Sequence, residues 1–436
     1  VGRVKRKPIR LKITKNEDGT LTVDTPLYSI QGFSITNLDY ITVPFAGLSV
    51  AFDIDCEDKE LLNEIALRLD RQSTWGFYSK SEPEGIRNYI HNAMTSKSQV
   101  YTVESLKGVA HDRPLVYCGA GPSLSDNFDE LRRIIKDETA IVIAGGSAIR
   151  ILAKEGIKPH YCLAFDPYDF EWERVFEHIP SNWTRDIPLL TTLILETRCF
   201  NKWEGPIYVA GGCNCMQPRN VIDGLESIKE GASGVSTAIH HWAAYMGFKE
   251  LTMVGVDLSY RKDSNDSLVQ YADGRTEDTD EQGPLELESG IITRHLWKRE
   301  ALFISDTLKD TGMTCFNASK GLLIEGTKEA ELSRYAAKID PIIYKLPIQL
   351  KEYQGKIEEN LLSLARDMVN ILHLGVRHPD AMKLGSYQSY LKTYDYVQQF
   401  REVWTYSYNE DLLEALAYNC IEWVQQAINN KGDKND

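Results

Sequence analysis

The residues with the most chemistry in them stand where apolar runs give way to turns. Leu115-Val116-Tyr117-Cys118 leads straight into Gly119-Ala120-Gly121-Pro122-Ser123-Leu124, where an extended segment must turn into a helix. Glycine at Gly119 and Gly121 permits positive φ and close approach of a ligand to the backbone, the amides of the following helix point at an anion, and Ser123 adds a hydroxyl donor. Ala140-Ile141-Val142-Ile143-Ala144 enters Gly145-Gly146-Ser147 in the same way, and Gly231-Ala232-Ser233-Gly234-Val235 opens a third helix with small residues. The chemistry this suits is the holding of phosphate, with Gly119, Gly121, Pro122, Ser123, Gly146, Ser147, Ser233 and Gly234 as the nucleotide contacts. Three carboxylates stand at comparable turns. Asp166 ends the run Tyr161-Cys162-Leu163-Ala164-Phe165 and Asp169 follows shortly after, so the two read either as water-mediated Mg²⁺ ligands or as caps of the next helix. Asp257 closes Glu250-Leu251-Thr252-Met253-Val254-Gly255-Val256 and reads either as a nucleotide (ribose) ligand or as a residue that orders the strand end.

Two successive strand-helix units this compact, with Gly156 as the stop of the second helix, require a parallel sheet, and a ligand then sits beyond the carboxyl ends of its strands. The expected fold is α/β: a Rossmann-like parallel sheet with helices on both faces over residues 111–327. A small β-rich domain precedes it over residues 1–110. There Arg10-Leu11-Lys12-Ile13-Thr14 and Leu21-Thr22-Val23 flank Asn16-Glu17-Asp18-Gly19, a hairpin pattern, and helical patterns run from Asp58 to Asp70 and from Glu84 to Met94. A helical domain follows over residues 328–436, where Leu361, Leu362, Leu364, Met368, Ile371 and Leu372 recur at helical spacing. Tyr390, Tyr394, Val397 and Trp404 form a second stripe, read as core or as the contact of a homo-oligomer. Between Arg261 and Gly290 the apolar periodicity lapses and acidic residues accumulate. Following Asp257 directly, that stretch is placed to cover the cleft as a water-excluding lid.

The balance of charge and the cysteines narrow the class. A net charge of −14 opposes a broad nucleic-acid surface, because phosphate backbones need concentrated lysine and arginine. No apolar run reaches the roughly 18 residues of a membrane span. The basic amino terminus, Val1 to Lys7, lacks an apolar signal core, so a cytoplasmic protein is expected. Cys118, Cys162 and Cys420 lie in apolar segments as reduced, buried thiols, and Cys213-Asn214-Cys215 has no second pair or histidine at zinc spacing. His240 and His241, ahead of Trp242 on an apolar helix, read as structural.

The motifs Gly119-Ala120-Gly121-Pro122-Ser123-Leu124, Gly156-Ile157-Lys158-Pro159-His160-Tyr161, Ala232-Ser233-Gly234-Val235 and Gly247-Phe248-Lys249-Glu250-Leu251 through Asp257 together resemble one superfamily. It contains the motility-associated-factor flagellin glycosyltransferases and the archaeal 6-hydroxymethylpterin diphosphokinases. The order of motifs is also similar to that of bacterial CMP-sialic-acid sialyltransferases. The resemblance covers Arg113 to Thr327, and Asn317-Ala318-Ser319-Lys320-Gly321 resembles the asparagine- and glycine-rich segment of the flagellin transferases.

The resemblance implies a transferase. Glycosyl transfer from a nucleotide-sugar, possibly CMP-linked, needs donors to the departing phosphate and a base for the acceptor hydroxyl. His295, after the lid and before a helix from Glu300 to Leu308, corresponds to the sialyltransferase histidine, while Tyr260 and Tyr271 are the candidate donors to the leaving phosphate. This route requires no cofactor. The acceptor is a hydroxyl on a protein, a glycan or a modified nucleic-acid base. The alternative is Mg²⁺-dependent pyrophosphoryl transfer from ATP to a hydroxymethylpterin-like substrate, with Asp166 and Asp169 on the metal. A third alternative is a non-catalytic, nucleotide-binding assembly protein.

Overall fold

The computed structural model describes residues 9–18, 20–24, 29–33, 52–55, 84–94, 99–211, 225–228, 234–276, 284–287, 289–342, 347–350, 359–360 and 426. The chain divides into two compact units, Val1–Pro83 with Asp367–Asn419, and Glu84–Arg366 with Cys420–Asp436. The expected helix from Asp58 to Asp70, the stripes at Leu361–Leu372 and Tyr390–Trp404, Ser233, and the Cys213–Cys215 pair lie outside the described residues.

In the first unit, Ile9–Lys15 pairs antiparallel with Leu21–Asp24, with Lys15 opposite Leu21, so the hairpin expected from the Asn16–Gly19 turn is present. The amide of Asn16 donates to the carbonyl of Thr20 at 2.7 Å across the turn. Ser29–Phe33 and Phe52–Asp55 complete a four-stranded sheet, Phe52–Asp55 lying parallel to Ile9–Lys15.

The second unit is built on a nine-stranded sheet. Its strands in chain order are β1 (Val100–Thr102), β2 (Pro114–Cys118), β3 (Ile141–Gly145), β4 (Tyr161–Leu163), β5 (Leu189–Thr192), β6 (Ile207–Ala210), β7 (Glu250–Val254), β8 (Thr314–Asn317) and β9 (Thr327–Glu329). They are ordered β9-β8-β7-β2-β3-β4-β5-β6-β1, and every pairing is parallel. β3, β4, β5 and β6 are buried along their whole length, which is why none of them carries a charged residue.

Helix α1 (Phe128–Asp137) buries Leu131 and Ile134, and α2 (Ala148–Lys154) is stopped by Gly156 at φ +66°, as expected. Helix α3 (Val235–Met246) packs on α4 (His295–Thr311), which is longer than the Glu300–Leu308 pattern by a turn at its start and three residues at its end. Residues 84–94 are helical as expected. Two buried asparagines of that helix staple distant loops: Asn88 Nδ2 donates to the carbonyls of Pro167 and Ile194, Asn92 Nδ2 to those of Leu193 and Leu195.

The order of strands places a topological switch between β2 and β7. From β2 the chain winds through β3, β4, β5 and β6 in one direction, then returns to the other side of β2 as β7. Cys118, Val254 and Ala144 are level in the register, so the loops after β2, β7 and β3 leave the sheet side by side. A crevice at this position is where doubly wound sheets receive ligands. Among the described residues, no helix is long and apolar enough to cross a membrane.

Candidate functional site

The loop after β2 is locked against the loop after β7. The amide of Gly119 donates to the carbonyl of Val254 at 2.8 Å, and that of Gly121 to the carbonyl of Gly255 at 2.7 Å. The glycines are required by this closeness. A Cβ on Gly119 would lie 2.5 Å from the Gly255 carbonyl oxygen, and one on Gly121 would strike Oδ2 of Asp257. Positive φ, expected at Gly119 and Gly121, is instead found across the crevice at Gly255 (+69°), while Gly121 has φ −64°. The expected phosphate cradle is also differently used. The amides of Gly119, Gly121, Ser123 and Leu124 are spent on partners within the protein, and Pro122 has none to offer.

Asp257 holds the knot. Its Oδ2 accepts from the amide of Ser123 at 3.0 Å and from the Ser123 hydroxyl at 2.9 Å, while Oδ1 accepts from the amide of Lys320 at 3.1 Å. Its carbonyl accepts from the amide of Leu322 at 2.7 Å, and the residue is only 3% exposed. A third loop, Ser319-Lys320-Gly321, is thereby drawn into the crevice. The Ser319 hydroxyl accepts from the amide of Val256 at 2.9 Å, and a Cβ at Gly321 would strike the Asp257 carbonyl. Leu258, next to Asp257, is held at φ +50°, a region that a branched side chain seldom occupies.

The expected lid contains two short hairpins, Arg261–Lys262 with Leu268–Val269 and Leu285–Glu286 with Ile292–Thr293. It touches the glycine loop, the amide of Ala272 donating to the carbonyl of Ala120 at 2.9 Å, so the neighbouring Tyr271 stands at the crevice. The Arg275 guanidinium lies 4.8 Å over the Tyr271 ring. Tyr260 pairs through its amide with the carbonyl of Ile292 and lays its ring against Trp297 in the first turn of α4, centroids 4.7 Å apart. His295 is the first residue of that helix. The Thr293 hydroxyl donates to the carbonyl of Leu258 at 2.7 Å, tying the approach to α4 directly to the strained backbone beside Asp257. Tyr271 thus stands beside the glycine loop, while Tyr260 stands against the start of α4.

Farther along the same edge stand the remaining candidates. Gly146 donates its amide to the carbonyl of Leu163, and a Cβ there would lie 3.2 Å from Val235, so Gly146 meets the start of α3, while Ser147 is the N-cap residue of α2. Gly234 caps that helix, its carbonyl accepting from the amides of Thr237 and Ala238. Asp166 follows β4, two strands from β2, about 10 Å along the edge at ordinary strand spacing. Asp169 opens the helix Asp169–Arg174 without capping it, and its Oδ1 accepts from the Arg198 guanidinium at 2.6 Å. Glu196 Oε1 also accepts from Arg198. Among the described residues, no three His, Cys, Asp or Glu side chains form a group that could hold a metal ion.

Glu171 is the partner of Asp166 that the sequence does not announce. Desolvation raises both carboxyls, Glu171 being raised further by Asp166, and Arg174 lowers both in part. Asp166 keeps a partly exposed edge, whereas Glu171 is 7% exposed, so the stronger effect is assigned to Glu171. A raised carboxyl contributes stability at low pH that is lost as pH rises through its folded value. We therefore expect Glu171→Gln to match the wild type near pH 5 and to exceed it at pH 8 by roughly 2–4 kcal/mol in urea unfolding. Equal pH profiles for the two proteins would show Glu171 to be ordinarily ionised.

Arg261, Asp126 and Lys320 also escape sequence reasoning. They come together from sites 135 and 194 residues apart, and Lys320 stood in the sequence only as part of the Asn317–Gly321 stretch.

Comparison with known proteins agrees with this architecture. Residues 87–263 match the family described as 6-hydroxymethylpterin diphosphokinase MptE-like. The solved structure of MAf glycosyltransferase from Magnetospirillum magneticum AMB-1 is similar over 91% of this chain and 68% of that one, with a TM-score of 0.55 and 14% identity. That likeness carries the fold. No curated protein matches the chain. Residues 87–263 thus match the MptE-like family model, and the chain shares the fold of the MAf glycosyltransferase structure, the two groups that its motifs resemble.

Proposed function

We propose that the protein is a cytoplasmic glycosyltransferase that takes a sugar from a nucleotide donor, with CMP-linked sugars as one candidate class, and passes it to a hydroxyl acceptor. The observation that supports this reading is the glycine knot at the switch between β2 and β7, with the Tyr271 loop bonded to it and the approach to the helix that begins with His295 tied to Leu258 beside Asp257. In the reaction, the acceptor oxygen forms a bond to the anomeric carbon as that carbon's bond to the donor phosphate breaks. His295 takes the acceptor proton, and Tyr260 and Tyr271 donate hydrogen bonds to the departing phosphate. Gly119, Gly121, Pro122 and Ser123 form the wall on which the nucleotide rests, with Gly146, Ser147 and Gly234 beside it, and Ser233 is a nucleotide contact on the sequence reading alone. Asp257 holds that wall in place. The match to the diphosphokinase-like family supports a second reading, pyrophosphoryl transfer from ATP.

A thermal-shift panel of CMP, CMP-sugars, UDP-sugars, GDP-sugars and ATP, each with and without Mg²⁺, separates the two. Ligand at 100 times its dissociation constant stabilises by about 2.7 kcal/mol, so a shift with a sugar nucleotide in the absence of Mg²⁺ is the expected result. A shift with ATP and Mg²⁺ alone would replace the first reading by the second. With the donor known, His295→Ala is expected to lower transfer by ~10²–10⁴-fold with donor affinity kept. Undiminished transfer would remove His295 from the mechanism.

A further inference from the structure

Two cations at the mouth of the crevice have no part in the reaction as written. Arg261, at the base of the lid, makes a two-pronged ion pair with Asp126, NH1 to Oδ1 at 3.0 Å and NH2 to Oδ2 at 2.8 Å. Lys320 Nζ approaches the same carboxylate at 3.3 Å while its side chain stays 70% exposed. Asp126 lies in the short helical turn Pro122–Asn127 that follows the glycine knot. One negative charge therefore faces two positive ones, leaving a surplus of one positive charge beside the crevice. Asp257 cannot take up that surplus, because both its carboxylate oxygens are spent on Ser123 and on the Lys320 amide.

A departing phosphate needs donors where its charge builds, and the glycine loop cannot supply most of them, its amides being committed to the protein itself. A chain of net charge −14 offers no general positive field in their place. Arg261 and Lys320 are anchored to the two sides of the crevice that matter: one through the lid, the other through a backbone amide held by Asp257.

Resting on the nucleotide-sugar reading, we infer that Arg261 and Lys320 bind the phosphate of the donor, and that Asp126 is the counter-ion they exchange for it. When phosphate enters, the cations turn from Asp126 to the ligand. Asp126 then acts as a competitor of the ligand. A purely structural tie would give the opposite sign on its removal.

The test is calorimetric titration of the full chain and of Lys320→Gln, Arg261→Gln and Asp126→Asn with inorganic pyrophosphate, with the donor nucleotide and with its unphosphorylated nucleoside. Each cation variant is expected to weaken pyrophosphate and nucleotide binding by ~10-fold and to leave the nucleoside unchanged. Asp126→Asn is expected to tighten pyrophosphate binding. Pyrophosphate affinity indifferent to both cations, or weakened by Asp126→Asn as much as by the cation variants, overturns the inference. So does a wild type that fails to bind pyrophosphate. Pyrophosphate binding that depends on Lys320, in a protein that binds no sugar nucleotide, upholds the phosphate pair and rejects the glycosyl donor instead.

Discussion

Replacing Asp257 by alanine is expected to destabilise the second unit by about 3–5 kcal/mol, because the substitution strands the buried amide and hydroxyl of Ser123 and the part-buried amide of Lys320. An unmade hydrogen bond in the interior costs more than a made one contributes, and three donors lose their acceptor at once. For a unit of this size the loss corresponds to roughly 6–15 °C in Tm. Asp257→Asn keeps one acceptor oxygen, so it should retain one side of the knot and cost about half as much. The pair of variants distinguishes the knot from a ligand contact. Were Asp257 serving only a bound ribose, both variants would unfold like the wild type and differ from it in nucleotide affinity alone.

Acid is expected to weaken the protein through His240, by about 5 kcal/mol between pH 6.5 and pH 3. The ring is fully buried in α3, neither nitrogen has a hydrogen-bond partner among the described residues, and desolvation, with the charge of His241, pushes its pKa down to about 3. Below pH 6.5 the unfolded chain binds a proton that the folded ring refuses. Stability therefore falls as pH is lowered through that window and is insensitive to His240 above it. His240→Leu, similar in volume and unable to titrate, should flatten the acid limb and equal or exceed the wild type at pH 5 in denaturant unfolding. An acid limb of unchanged slope in the variant would show that other groups carry the effect. His240 and Glu171 pull in opposite directions, since the carboxyl favours acid and the imidazole resists it, so between about pH 4.5 and 6.5 their effects on stability offset each other.

The parallel sheet was legible because glycine punctuates it: Gly119, Gly146 and Gly156 mark the places where strand, loop and helix exchange, and the apolar runs between them are too short for anything but strands. The reason for Gly119 and Gly121 was not legible. Their requirement is set by Gly255 and Asp257, more than 130 residues away, and no local pattern reports a clash with a distant backbone. The same distance hid Arg261 and Lys320, which meet only through Asp126. Glu171 escaped for a different reason. A glutamate in a short charged helix reads as solvated, and only packing beneath the loop after β4 turns it into a buried acid. Tyr260, Tyr271 and His295 were chosen by their place in the chain, and the structure sets Tyr260 against Trp297, two residues beyond His295.

The far edge of the sheet has a consequence for synthesis on the ribosome. β1 is made before any other strand of the sheet, yet its hydrogen-bonding neighbour is β6, with Val100 opposite Ile207. Over the synthesis of the intervening hundred or so residues its edge waits unsatisfied, while β2, β3 and β4 can already pair with one another in order of emergence. The nascent sheet therefore grows outward from its middle, and the strand translated first is among the last to be enclosed.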